Sequence, residues 1–232
     1  MSLETAAINI TEIDEGHLSP APGVMLRPNV MSVLIAEINS FIQHISTFEH
    51  YLSENELLRA NGYHRQTDRD CFVLRRGLLR SLLAQYLNQK PERIQLERDA
   101  NGKPYCPNAS GRINFSMSQS YGIAVYVFSN EYSVGIDLEK VDSAIDCEPL
   151  AEHYFTPQEA ALIRRTPGQA KTEAFFKCWT YKEAYIKLLG PCPLNTIETQ
   201  QLTSDKMTLP HCRYAELDIR KGYQCVVGYR PA

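Results

Sequence analysis

No apolar run in the sequence approaches the ~20 residues that cross a bilayer, so a membrane-spanning helix is not expected. There is no Cys-x-x-Cys, which excludes a zinc ribbon or a thioredoxin-like pair. The seven cysteines are odd in number, so at least one thiol lacks a partner within the chain. Reduced thiols in a cytoplasmic protein are the simplest expectation. An excess of positive charge is also missing. There are 24 Lys and Arg against 27 Asp and Glu, a formal net charge of -3, whereas nucleic-acid binders are usually basic. The stretch from Met1 to Glu15 has no Lys or Arg, so no secretory signal is expected there. Internal repeats, low-complexity tracts and long linkers are absent. What is present is 232 residues, 44% of them hydrophobic and 22% charged, a globular balance. That length suits one large domain or two closely packed lobes.

Local signals divide the chain. Residues 16–30 hold three Pro and two Gly and read as an extended lead-in. Ser53 and Glu56 form a capping box ahead of a short helix that Asn61-Gly62 ends. From Thr67 to Asn88 apolar residues recur at helical spacing, with Arg69, Arg76 and Arg80 among them. Between residues 59 and 103 there are ten Lys and Arg against five Asp and Glu, a local excess of five positive charges. Asn101-Gly102-Lys103-Pro104 reads as a turn. Strands are expected over Arg112–Ser118, Ile123–Ser129 and Tyr132–Glu139. A second capping box, Thr156 to Glu159, opens another helix. A long helix is expected from about Ala170 to Leu189, stopped by Gly190. Two or three strands fill 196–230, the clearest being Gly222–Tyr229.

Three groups could carry chemistry. Asp137 and Glu139 stand two apart on a strand and so share a face. Two carboxylates there could hold a hard cation such as Mg²⁺, or they could lie on a strand face turned to water. Glu183 and Lys187 are four apart and share a helix face, with Lys182 about 100° around. They could form a surface ion pair or a charged stripe on a mostly apolar helix. Ser116 and Ser118 alternate with larger residues at a strand end, where they could line a phosphate pocket or simply form a turn.

These pieces, in order, resemble the 4'-phosphopantetheinyl transferases of the two-lobed monomeric type that activates peptide and polyketide synthase carrier proteins. Val134-Gly135-Ile136-Asp137-Leu138-Glu139-Lys140 is similar to the family's G-[IV]-D-x-E-K strand. Phe175 to Lys187, FFKCWTYKEAYIK, is similar to its F-x-x-x-W-[ST]-x-K-E-[SA]-x-x-K helix. Arg76 to Arg80 resembles its R-x-L-[LI]-R helix, Gly102-Lys103-Pro104 its G-K-P turn, and Asn114-Phe115-Ser116 its N-[IF]-S strand. The resemblance covers roughly 48–230. One departure stands out: Met117 occupies a position where the family commonly has His, and Met neither donates a strong hydrogen bond nor carries charge.

The resemblance implies an α+β fold. It has two structurally similar lobes related by a pseudo-twofold, 1–130 and 131–232, each a small mainly antiparallel sheet on a long helix. The active site would lie in the cleft between them. It implies transfer of phosphopantetheine from coenzyme A, the co-substrate, to a serine of an apo acyl, peptidyl or aryl carrier protein, releasing 3',5'-ADP. Asp137, Glu139 and Glu183 would hold Mg²⁺, or Mn²⁺ in its place. Glu183 would be the base and Lys187 would stabilise the leaving group, with Asp137 counted among the catalytic residues. Arg76, Lys103, Pro104, Ser116, Met117, Ser118, Lys182 and Lys187 would contact the coenzyme, with Arg76 on its 3'-phosphate. Arg164, Arg165 and Lys171 could meet an acidic carrier helix. Neither nucleic acid nor membrane is an expected partner. Two rivals stay open. One is a metal-dependent nuclease built on Asp137-x-Glu139-Lys140. The other is a non-catalytic protein that binds coenzyme A or a carrier domain.

Overall fold

A computed structural model describes residues 6–18, 25–100, 102–109, 113–197 and 212–232. Two strands come first: β1 (Ala7–Ile13) and β2 (Val30–Glu37). Two short helices follow, α1 (Ile45–Tyr51) and α2 (Glu54–Asn61), and the Ser53–Glu56 capping box starts the second as expected. The amphipathic run becomes α3 (Gln66–Leu87), closed by Asn88 in a left-handed conformation. A two-residue hairpin, β3 (Glu97–Arg98) and β4 (Pro104–Tyr105), encloses the Gly102 turn. The next three strands are β5 (Asn114–Ser120), β6 (Ile123–Ser129) and β7 (Tyr132–Lys140). Helices α4 (Cys147–Tyr154), α5 (Pro157–Arg165) and α6 (Gly168–Leu189) come next. Strands β8 (Arg213–Glu216) and β9 (Tyr223–Pro231) close the chain.

The strands form two main sheets. The first has the order β1-β2-β6-β5, with β1 parallel to β2 and the other pairs antiparallel. The second, β7-β9-β8, is antiparallel throughout. Each carries one 22-residue helix. Leu79 and Leu83 of α3 share a core with Phe115, Tyr126 and Phe128 of the first sheet. Phe176 and Ala184 of α6 share another with Val226 of the second. The two sheets also face each other: Val33, Ile35, Val125 and Val127 pack with Ile136, Val227 and Tyr229. The result is four layers, helix, sheet, sheet and helix. This is the expected α+β architecture, with a shared hydrophobic core between its halves.

The lead-in is more structured than expected. Glu15–Leu18 form a single turn of 3-10 helix and Val30 already begins a strand; residues 19–24 lie outside the described residues. Arg112, the expected start of the strand that became β5, and Asn101 of the turn are also outside them. In the C-terminal stretch two strands are described, and residues 198–211 are not.

Candidate active site

Strand β5 is an edge of the first sheet and β7 an edge of the second. An open edge exposes backbone groups that need partners. Here the serines of β5 supply them. Ser116 Oγ accepts the Ile136 amide at 3.2 Å, and Ser120 Oγ accepts the Lys140 amide at 3.0 Å. Between them Ser118 Oγ donates to Asp137 Oδ1 at 2.8 Å. Alternation explains the division of labour. Ser116, Ser118 and Ser120 face β7, while Phe115 and Met117 face the core under α3.

Against this seam lies α6. Its approach depends on Gly135, because a Cβ there would stand 2.3 Å from the Ala184 carbonyl oxygen and 2.4 Å from the Leu188 amide nitrogen. The close contact brings Lys187 Nζ within 2.6 Å of Asp137 Oδ1 and 2.8 Å of Ser118 Oγ. Asp137 is 2% exposed, and its other oxygen, Oδ2, is buried with no hydrogen-bond partner. Glu139 accepts from Ser120 Oγ at 3.1 Å. Burial, then the Asp137 charge, pushes the Glu139 carboxyl up to about 7, with Glu183 adding to the rise and Ser120 and Lys187 opposing it. Burial first and Asp137 second also raise Glu183, against Lys187. Three carboxylates thus crowd one ammonium.

Beside them a cavity of about 250 Å³ opens between the halves. Lys103, Pro104, Ser116, Met117 and Lys187 all line it. Lys103 donates to the Val134 carbonyl at 2.8 Å and to the Leu188 carbonyl at 3.4 Å, so the turn lysine of one half grips the other. Burial lowers its pKa to about 8; Asp99 opposes the shift and Arg230 adds to it. The sequence reading missed Arg98, Gly190 and Pro191, which also line the cavity. It missed the bridging role of Ser120 too, although Ser120 continues the alternation of Ser116 and Ser118.

Two family models match the chain. One, the 4'-phosphopantetheinyl transferase superfamily, covers residues 133–226; the other, 4'-phosphopantetheinyl transferase, N-terminal, covers 39–130. The chain belongs to the 4'-phosphopantetheinyl transferase superfamily. It is 37% identical over 141 residues to the 4'-phosphopantetheinyl transferase HetI of Nostoc sp., covering 60% of each chain. It is 31% identical over 156 residues to the 4'-phosphopantetheinyl transferase gsp of Aneurinibacillus migulanus, covering 64% of this chain and 63% of that one. The human L-aminoadipate-semialdehyde dehydrogenase-phosphopantetheinyl transferase is 30% identical over 125 residues, 50% of this chain and 40% of that one. The matched part therefore spans less than two thirds of these relatives' lengths.

Within the family pattern, not every expected contact lies where the motif suggests. The main correction is Lys182, which does not reach the cavity. It is 0% exposed and its Nζ donates to Glu159 Oε2 at 2.5 Å and to the carbonyls of Leu194 and Ile197. Next to Glu183 in sequence, it points some 100° away, because helix geometry sends neighbours to different faces. Arg76 is also drawn elsewhere. Its Nε lies 3.2 Å from Glu56 Oε1, its guanidinium sits over Phe72, and it is not among the residues lining the cavity. Glu56 binds Arg80 as well, and Glu49 binds Arg69, so part of the positive excess in 59–103 is neutralised from outside that window. Of the basic residues expected to meet a carrier, Arg164 pairs with Glu152 and Lys171 with Glu148, while Arg165 is exposed.

Among the described residues, no three His, Cys, Asp or Glu side chains already converge as a metal centre. The donor chemistry nevertheless fits a hard divalent cation. Asp137, Glu139 and Glu183 offer only oxygens, Asp137 Oδ2 is buried without a partner, and Asp137 raises both glutamates. A divalent charge would relieve that mutual repulsion.

Proposed function

We propose that this chain transfers the 4'-phosphopantetheine group from coenzyme A to a serine hydroxyl of an apo carrier protein and releases 3',5'-ADP. The observation that carries the proposal is the cluster of Asp137, Ser118 and Lys187, flanked by Glu139 and Glu183 and opening beside the cavity between the halves. Family membership and relatives named as transferases support the same reading.

The cavity takes the nucleotide end of the coenzyme, with Lys103 and Pro104 at its border and Met117 as its apolar wall. Asp137, Glu139 and Glu183 would hold Mg²⁺, which would supply charge neutralisation at the pyrophosphate and Lewis-acid polarisation. The carrier serine oxygen forms a bond to the pantetheine-side phosphorus, and the bond from that phosphorus to the bridging oxygen of the pyrophosphate breaks. The serine proton goes to Glu183. The electron pair leaves with 3',5'-ADP. Lys187 already uses two ammonium protons on Asp137 and Ser118, and the third meets the oxygen of the leaving phosphate. The carrier type served, a monomeric state and a cytoplasmic setting are part of the proposal. Among the described residues, no helix is long and apolar enough to cross a membrane.

The test is the intact mass of an apo peptidyl carrier protein after incubation with the chain, coenzyme A and Mg²⁺. One phosphopantetheine is expected per carrier, with at least a hundredfold slower gain for Glu183→Ala. Tight coenzyme binding with no gain on several carriers would favour the non-catalytic binding protein instead.

A further inference from the structure

We propose that Lys182 is a positioning residue for the coenzyme cavity: it ties the segment that walls the cavity to the catalytic helix. The inference rests on the coenzyme reading of that cavity.

A lysine with no exposed surface keeps its charge inside a fold only when every proton is used. Lys182 meets that demand. Its three ammonium protons go to Glu159 Oε2 at 2.5 Å, the Leu194 carbonyl at 2.9 Å and the Ile197 carbonyl at 2.7 Å. The ring of Phe155 lies 5.1 Å from Nζ. Glu159 Oε2 also accepts the Thr156 amide at 2.9 Å, closing the capping box of α5. One ammonium therefore joins three pieces of chain: α6, the start of α5 and the stretch 194–197.

That stretch matters because of where it leads. Helix α6 ends at Gly190, whose φ of 112° turns the chain out of the helix. Gly190 and Pro191 then form one wall of the cavity, against Lys103, Pro104 and Met117. The wall is held at one end by the end of α6. At the other it is held by the two carbonyls on Lys182. Ile197 also packs into the core beside α6, so the anchor is shared between apolar contact and the ammonium. Losing the ammonium loosens the wall without moving Glu183 or Lys187, which the Gly135 contact and the Asp137 pair keep in place.

The test separates the anchor from the fold. Lys182→Met alone strands the buried Glu159 carboxylate, which harms folding by itself. The double variant Lys182→Met with Glu159→Gln removes both charges, and the glutamine oxygen can still accept the Thr156 amide. Replacing a buried pair by neutral groups of similar size is often close to neutral for stability. Coenzyme A affinity by calorimetry and steady-state kinetics on an apo carrier protein give the readout. The double variant is expected to raise KM and Kd for coenzyme A about tenfold while kcat stays within about threefold. Wild-type values for the coenzyme in a folded double variant would overturn the inference and leave the transferase reading intact. No coenzyme binding by the unaltered chain would overturn both. Hydrogen exchange on the unaltered protein gives a second check, independent of how the variant folds. Amides of residues 190–197 are expected to gain protection when coenzyme A is added, and unchanged exchange there would also overturn the inference.

Discussion

Lys103 carries its charge to a partly buried place between the halves, and this should show as a pH dependence of stability. Burial holds its folded pKa near 8, below the ordinary 10.5. Below about pH 8 both states are protonated and the folded state bears the full cost of the buried charge. Between 8 and 10.5 the unfolded chain still binds the proton and the folded one does not, so stability contributed at this site rises with pH. Lys103→Met lacks this effect. Urea unfolding should show the unaltered chain gaining ~2 kcal/mol relative to Lys103→Met between pH 7 and pH 9.5. An unchanged difference would mean that Lys103 is not the buried cation the geometry describes. Met117 lies in the same cavity with only a thioether to offer. Met117→His adds a donor there and is expected to lower KM for coenzyme A about tenfold at pH 6.5 with little change in kcat. A KM unmoved by that change would argue that the coenzyme's phosphates lie away from this wall.

Among the elements, the contact of β7 with α6 decides whether the site assembles. Gly135→Ala places a methyl against the backbone of Ala184 and Leu188. Overpacking of this kind costs about 1–3 kcal/mol. It should also lower kcat more than tenfold, because Asp137 sits on one element and Glu183 and Lys187 on the other. Thermal melts and steady-state rates together check both effects; full activity in a stable variant would mean that the spacing is unimportant. The long helices α3 and α6, both capping boxes and strands β5 to β7 and β9 were legible in the sequence, because each shows a clear period or a start signal. Strand β2 was not. Its residues Val30–Glu37 show no period of two, since Leu34 and Ala36 face α3 while Met31, Val33 and Ile35 face the second sheet. Of the site, Asp137, Glu183 and Lys187 were legible from spacing and family motif. The place of Lys182 was not, because a motif records which residues recur and not which way each side chain points. Ser116 and Ser118 were noticed as polar positions, but their bonds to Ile136 and Asp137 depend on two sheet edges meeting, which no local pattern encodes.

At the scale of the whole molecule, the two halves are joined through a core rather than a hinge. Val125 and Val127 of one sheet pack with Ile136, Val227 and Tyr229 of the other, all buried. A cut near residue 130 would expose both faces to water. The chain is therefore expected to unfold in one cooperative calorimetric transition, shifted upward by coenzyme A. Two separated transitions would mean that the sheets are independent units. The packing of the two sheets on each other also explains how Lys103 of one half and Lys187 of the other can border a single cavity. The most direct measurement of the central claim is the stoichiometry of products. The chain, coenzyme A, Mg²⁺ and an apo carrier protein would be mixed and 3',5'-ADP and modified carrier counted together by chromatography and mass spectrometry. One 3',5'-ADP for each phosphopantetheine placed on the carrier, with both lost when the metal is chelated, is the expected result. Intact coenzyme A and unmodified carrier, with the coenzyme bound all the same, would contradict the transferase.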